Sequence, residues 1–209
     1  MNKYAHRGAH ETEAENSLAA FETAIKSGFY GIELDVRRLK DSTLVVFHDE
    51  KLENAKLCDL TLNELQKLYP DIPTLEDTLK LVAHKIKLDI ELKEVGYEAE
   101  VINLTQKYIK NEGYIISSFY PKSLKKINKE FPSIKVGLLL SERFIKNLLY
   151  LPFFELFVPK YSLLNKLSLL FSIFDKEIII WDVKTKEDLA LIQNMRNVSG
   201  IITDNQGLV

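Results

Sequence analysis

Strand-like and helix-like segments alternate along almost the whole of this 209-residue chain, and that alternation restricts its fold more than any other feature. Eight segments read as strands: Tyr4–Arg7, Ile32–Val36, Leu88–Leu92, Tyr114–Phe119, Lys135–Leu140, Leu156–Tyr161, Glu177–Val183 and Gly200–Asp204. The spacing of apolar residues predicts helices over Asn16–Lys26, Leu62–Leu68, Leu75–Val82, Ala99–Lys110, Lys122–Glu130, Glu142–Leu149, Asn165–Phe174 and Glu187–Met195, with Thr61 as the cap of the second. Strands separated by helices pair in parallel through right-handed crossovers, and eight of them predict an α/β fold of the (β/α)8 TIM-barrel type. No linker or low-complexity tract interrupts the pattern, so residues 1–209 are expected to form a single domain.

A barrel changes how its alternating strands are read. In Ile32–Val36 the apolar residues Ile32, Leu34 and Val36 share one face, and Glu33 and Asp35 share the other. The outer face of a barrel packs under helices, so the carboxylates are expected to point at the barrel axis. By the same reasoning Asp89, Glu91 and Lys93 point inward. Inward charges are costly unless paired or metal-bound, and the C-terminal ends of barrel strands are where active sites sit. An antiparallel sandwich, in which those faces would be wet, is the competing architecture, and the intervening helices argue against it.

The first quarter of the chain adds the rest of a phosphodiesterase-like set: His6-Arg7-Gly8 and His48-Asp49. Glu33, Asp35 and Glu91 would form an all-oxygen site suited to one hard divalent cation, Mg2+ or Ca2+, and poorly suited to zinc. Arginine forks onto phosphate oxygens, and the pair His6 and His48 can take and give a proton. Asp41-Ser42 reads as a two-residue turn, which would set His48 opposite Asp35 and make Leu44–Val46 a hairpin flap at the barrel mouth. A small insertion follows the flap. His10 and His84 have no such company and read as surface or supporting residues.

Composition excludes other classes. A net charge of −2 argues against a nucleic-acid binder, and 46% hydrophobic with 28% charged residues is ordinary for a globular chain. Cys58 stands alone, which suits a reducing compartment. Met1–Ala5 carries no apolar leader, so a cytoplasmic location is expected. The greasy stretch Phe144–Phe174 is broken by charges and by Pro152 and Pro159; no transmembrane span is expected, and a membrane-touching patch is the minor alternative.

These residues form an ordered series. His6-Arg7-Gly8, Glu15-Asn16-Ser17, Gly31–Val36, Val45–Asp49, Pro73–Glu76, Leu88–Lys93, Ser118-Phe119, Trp181 and Gly200–Asp204 together make the chain resemble the glycerophosphodiester phosphodiesterases. The resemblance implies a TIM barrel that hydrolyses deacylated phospholipids, such as glycerophosphocholine, to sn-glycerol 3-phosphate and an alcohol. It implies that His6 and His48 are the acid–base pair and that Glu33, Asp35 and Glu91 bind the cation. It further implies that Arg7 and Lys93 contact phosphate and that Trp181 lines the substrate pocket, where a core tryptophan is the plainer reading. Ser42 stands where the family usually has glycine, and Leu52–Lys56 replaces a common arginine-threonine-threonine stretch. The rival readings are a lysophospholipase D, with Phe153, Phe154 and Phe157 as an apolar groove, and a catalytically silent barrel that only binds. Headgroup, oligomeric state and the role of Lys184 stay open.

Overall fold

The computed structural model describes residues 1–173 and 175–209, with side chains at all of these except 165, 168, 169, 171 and 172. Eight parallel strands form a closed ring: β1 (Asn2–His6), β2 (Gly31–Arg38), β3 (Lys87–Leu92), β4 (Tyr114–Ser118), β5 (Val136–Leu140), β6 (Leu156–Pro159), β7 (Glu177–Trp181) and β8 (Val198–Thr203). Closure comes from β1, which pairs with β8 on one side and β2 on the other. Seven α-helices accompany the strands among the described residues: α1 (Leu18–Lys26), α2 (Leu62–Leu68), α3 (Leu75–Val82), α4 (Glu98–Gln106), α5 (Pro121–Glu130), α6 (Leu164–Ile173) and α7 (Lys186–Ile192). None of the described helices is long and apolar enough to cross a membrane. The end of the expected helix Asn165–Phe174 lies outside the described residues at Phe174.

Two apolar layers account for the ring. The outward-facing residues Ile32, Leu34, Val36, Leu88, Ile90 and Leu92 pack under helix residues such as Phe21, Leu75, Leu79 and Val101. The barrel's interior is filled by Tyr4, Ile115, Leu139, Leu156, Val158, Ile179 and Ile202. That plug comes from β1 and β4–β8, and charged residues of β2 and β3 take the rest of the interior.

Local signals fix the helix starts. Ser17 Oγ accepts from Ala20 N at 3.1 Å, and Thr61 and Glu64 form a reciprocal capping box on α2. The segment after β5 departs from the expected α-helix: Glu142–Phe153 is 3-10, with Phe144 in non-helical geometry and Pro152 inside. Asn147 explains much of this, because its buried amide donates to Phe119 O at 2.8 Å and pins the segment to a strand end.

The flap is antiparallel to the outer end of β2, but its register is one residue off the expected pairing. Val36 faces Val46, Arg37 faces Val45 and Arg38 faces Leu44, so Phe47 rather than His48 meets Asp35. The turn holds three residues, closed by a Leu39 N to Thr43 O bond of 2.9 Å, with Ser42 in the left-handed region at φ 67°. A type I turn followed by a left-handed residue is the common three-residue hairpin, and a serine there does what a glycine does more cheaply. Behind the flap, Leu39, Val45, Leu57, Leu65 and Ile72 make a small separate core that supports the insertion.

A buried carboxylate ties α4 to α5. Glu98 accepts from Gly96 N at 3.0 Å, Ser123 Oγ at 2.6 Å and Lys126 Nζ at 3.0 Å. Burial works against its charge, and these donors more than offset it, holding the carboxyl down at about 2. Because the folded value lies below the unfolded one, this stabilisation is complete above about pH 4.5 and is lost as pH falls toward 2. It amounts to ~3 kcal/mol. Glu98→Gln is expected to lower stability at pH 7 by about that much and to flatten the loss between pH 4.5 and 2, as read by denaturant titrations at several pH values.

Candidate active site

The register of β2 and β3 sets the site. Glu33 lies beside Asp89, and Asp35 lies beside Glu91, each pair in the same direction across a parallel ladder. His6 sits beside Glu33 from the other side. Glu33, Asp35 and Glu91 are buried, and each brings an oxygen within 4.8 Å of the others. This agrees with the inward orientation that the alternation implied.

Positive groups hold the cluster together. Lys93 Nζ is 2.7 Å from Glu91 Oε1 and 3.1 Å from Asp35 Oδ1. Arg7 Nε is 3.2 Å from Asp35 Oδ2, while its Nη1 reaches both oxygens of Glu15 at 3.0 Å. The backbone of Arg7 also contributes, since its N–H donates to Glu33 Oε2 at 3.0 Å. That aim needs a tight turn. Arg7 and Gly8 both have positive φ, 52° and 85°, and a Cβ on Gly8 would lie 2.7 Å from that of Ala20.

The carboxylates are electrostatically unequal. Burial raises Glu33 well above the ordinary carboxylate range, and the neighbouring charges of Asp35, Glu91 and Asp89 add to it. Glu91 is pushed up to about 7, by burial first, with Lys93 opposing. Burial also works on Asp35, but Lys93, Arg7, His48 and an Asn16 hydrogen bond together hold it low. Deeper still, Asp89 is fully buried, and burial raises it to about 7 with Ser117 opposing. A set of crowded oxygen donors carrying excess negative charge fits a hard divalent cation, and Glu33, Asp35 and Glu91 are the residues that could hold it.

The two expected histidines reach the same cavity. His6, Arg7, Glu33, His48, Glu91 and Lys93 line one side, and Ser117, Phe119, Leu139, Trp181 and Ile202 line the other. His6 Nδ1 bonds Asp204 Oδ1 at 2.6 Å, which leaves Nε2 3.9 Å from Glu33 Oε2. His48 arrives by a route the sequence did not reveal. Its carbonyl accepts from Arg37 Nε and Nη2 at 2.9 and 2.7 Å, and Arg37 is itself buried and paired with Glu94. Nδ1 of His48 lies 2.7 Å from Asp49 Oδ1. Burial and the charge of Lys93 lower the His48 pKa, with Asp35 opposing.

Trp181 is half-buried and serves as wall and packing at once: it lines the cavity, its indole N–H donates to Leu140 O at 3.2 Å, and it meets Phe119 edge-on. Phe144 stacks on Phe119 at 4.6 Å and extends that aromatic wall. Of the three phenylalanines considered for an apolar groove, Phe154 and Phe157 are core and Phe153 is exposed. Lys184 stands on the rim, 3.1 Å from Asp182, and does not line the cavity. His84 is a left-handed turn residue by another surface depression. His10 was expected to lack company and does not: its Nε2 is 3.0 Å from the same Asp204 oxygen that His6 uses. The sequence held one pointer to this, an imidazole four residues after His6 in a loop opened by a glycine.

Asn16 also escaped a residue-by-residue reading, since it was expected inside a helix. It is buried at φ 54°, donates to Asp35 Oδ2 at 2.8 Å and accepts from Asp35 N at 3.3 Å. Asn16→Ala removes both bonds and places alanine in a left-handed conformation, an expected loss of about 2–4 kcal/mol in a denaturant titration.

Known proteins match this chain in sequence and in fold. The Glycerophosphoryl diester phosphodiesterase family matches residues 6–208. The Bacillus subtilis protein YhdW is 34% identical over 228 residues, covering 96% of this chain and 93% of that protein. A glycerophosphodiester phosphodiesterase of Caldanaerobacter subterraneus is 37% identical over 157 residues, 65% of each chain. The crystal structure of the Thermotoga maritima glycerophosphodiester phosphodiesterase superposes with a TM-score of 0.83 at 28% identity, over 99% of this chain and 95% of that one. An Oleispira antarctica phosphodiesterase, solved with its product sn-glycerol-3-phosphate, has the same fold at a TM-score of 0.82 and 21% identity, over 100% of this chain and 95% of that one. With a closed (β/α)8 barrel and a family match over residues 6–208, the chain belongs to the glycerophosphodiester phosphodiesterase family of phosphoric diester hydrolases.

Proposed function

We propose that residues 1–209 act as one catalytic domain that hydrolyses glycerophosphodiesters, such as glycerophosphocholine, to sn-glycerol 3-phosphate and an alcohol. The observation that carries this reading is the convergence of His6, His48, Arg7 and Lys93 on one cavity around the Glu33, Asp35 and Glu91 cluster. The sn-glycerol-3-phosphate held by the Oleispira antarctica phosphodiesterase fits the same product class. The chain's net charge of −2 and its lone, exposed Cys58 suit a small-molecule enzyme of the cytoplasm.

Arg7 and Lys93 attract the phosphate and offset the charge that develops on it. His6 is oriented by Asp204, which stabilises the imidazolium that forms when Nε2 removes the proton from the 2-hydroxyl of glycerol. The resulting alkoxide attacks phosphorus, and His48, the more exposed histidine on the flap, protonates the departing alcohol. The product of that step is a cyclic glycerophosphate. His48, now neutral, then takes a proton from water as its oxygen attacks phosphorus, and His6 returns its proton to the 2-oxygen. Intramolecular attack by a held hydroxyl has an effective molarity of about 10⁵ M or more in well-oriented cases. Mg2+ or Ca2+ held by Glu33, Asp35 and Glu91 supplies further neutralisation of the phosphoryl oxygens when bound.

All the expected polar groups come together, which argues against a silent barrel. The Phe119, Phe144 and Trp181 wall favours one second reading, a substrate that keeps an acyl chain. The test is release of sn-glycerol 3-phosphate from glycerophosphocholine with Mg2+, Ca2+ or chelator, for wild type and His6→Ala. Cation-dependent release that falls about 10²–10⁴-fold in the variant is expected. Release that survives chelation, or that is unchanged in His6→Ala, contradicts the proposal. Faster turnover of lysophosphatidylcholine would select the second reading, and a phosphodiester lacking the 2-hydroxyl is expected to be inert.

A further inference from the structure

Asp204 sits at a meeting point that the proposed hydrolysis uses only in part. One of its oxygens faces His6 Nδ1 at 2.6 Å and His10 Nε2 at 3.0 Å. Each of the three residues offers one ligand atom within 4.8 Å of the others, in a cluster that shares no residue with Glu33, Asp35 and Glu91. We propose that His6, His10 and Asp204 form a second metal site, of N2O character and fitted to Zn2+, whose occupation switches the enzyme off.

Donor chemistry separates the two clusters. Imidazole nitrogens suit zinc, whereas three carboxylates suit Mg2+ or Ca2+. Zinc bonds of about 2.0–2.1 Å in a tetrahedron space the ligands roughly 3.3 Å apart. His10 already stands near that spacing from Asp204, and His6 needs to withdraw by about half an ångström or a little more. The side chains are 23%, 23% and 46% exposed, so an ion has an entrance and its fourth position can keep a water. The loops that supply the ligands are tied to each other, because Gln206 N donates to Glu11 Oε1 at 2.8 Å. That bond joins the segments that carry Asp204 and His10.

Occupation has a defined consequence for protons. Without metal, neutral His6 presents its Nδ1 hydrogen to Asp204, and His10 presents its Nε2 hydrogen. Metal binding at those nitrogens moves each hydrogen to the other ring nitrogen, with no net gain or loss of protons. His6 then carries hydrogen on Nε2 and has no lone pair there to act as base. This consequence rests on the role proposed above for His6; the binding itself does not.

Calorimetric titration of metal-free protein with Zn2+, in saturating Mg2+ to occupy the carboxylate cluster, tests the site. One zinc ion is expected to bind wild type, about 10–100-fold more weakly to His10→Ala, and with unchanged affinity to Glu91→Gln. Affinity that is unchanged in His10→Ala, or lost in Glu91→Gln, overturns the proposal. Co2+ in the wild-type protein gives a check that needs no variant: intense visible bands of a four-coordinate ion support the site, and only the weak bands of a six-coordinate ion count against it. Zinc is expected to inhibit wild type at least about ten times more potently than His10→Ala. Binding with undiminished turnover would overturn the switch and the base role of His6 while leaving the proposed hydrolysis of glycerophosphodiesters untouched.

Discussion

Lys93 lies between two buried carboxylates, and the upper half of the barrel depends on that arrangement. Four acidic side chains, Glu33, Asp35, Asp89 and Glu91, project from two adjacent strands and are buried beside the apolar interior. Like charges in so dry a place would drive the strands apart or force the carboxyls to hold protons. Lys93 and Arg7 offset the charge nearest the mouth, and burial favours protonation of Asp89 beneath. The remaining excess of carboxylates over cations at Glu33, Asp35 and Glu91 would suit a hard cation there.

Division of the barrel interior into an apolar part and a charged part lets one fold serve two demands. Tyr4, Ile115, Leu139 and their neighbours fill the apolar part of the interior, with Leu139 reaching the site cavity. Beside them, β2 and β3 can carry side chains that oppose folding, because the helix-covered outer face remains apolar. Supporting contacts then fix the polar side chains one at a time: Asn16 on Asp35, Asp204 on His6, and the Arg37 fork on the carbonyl of His48. Such contacts hold the polar groups of a site in place from behind.

Much of this was legible in the sequence because it follows from period. Strict alternation in Ile32–Val36 and Leu88–Leu92 told which residues face inward, and helices between strands dictated parallel pairing, so the carboxylate cluster followed from pattern alone. What depended on single backbone angles did not follow. Ser42 in the left-handed region lengthens the hairpin turn by one residue and shifts the whole flap, which a two-residue turn could not anticipate. His48 still reaches the cavity, because a buried arginine rather than ladder pairing positions it. Asn16 was hidden because a capped helix start and a left-handed residue before it look alike in a string of letters. His10 was hidden because its partner lies 194 residues away in the chain.

The central claim is that charges gathered inside the barrel make a cation site. A calorimetric titration of metal-free protein with Mg2+ and with Ca2+, on wild type and on Asp35→Asn, tests it most directly. The expected result is one bound ion in wild type and a fall in affinity of about 10–100-fold or more in the variant, with the fold intact by circular dichroism. Equal binding by both proteins, or none by a folded wild type with either ion, would contradict the account.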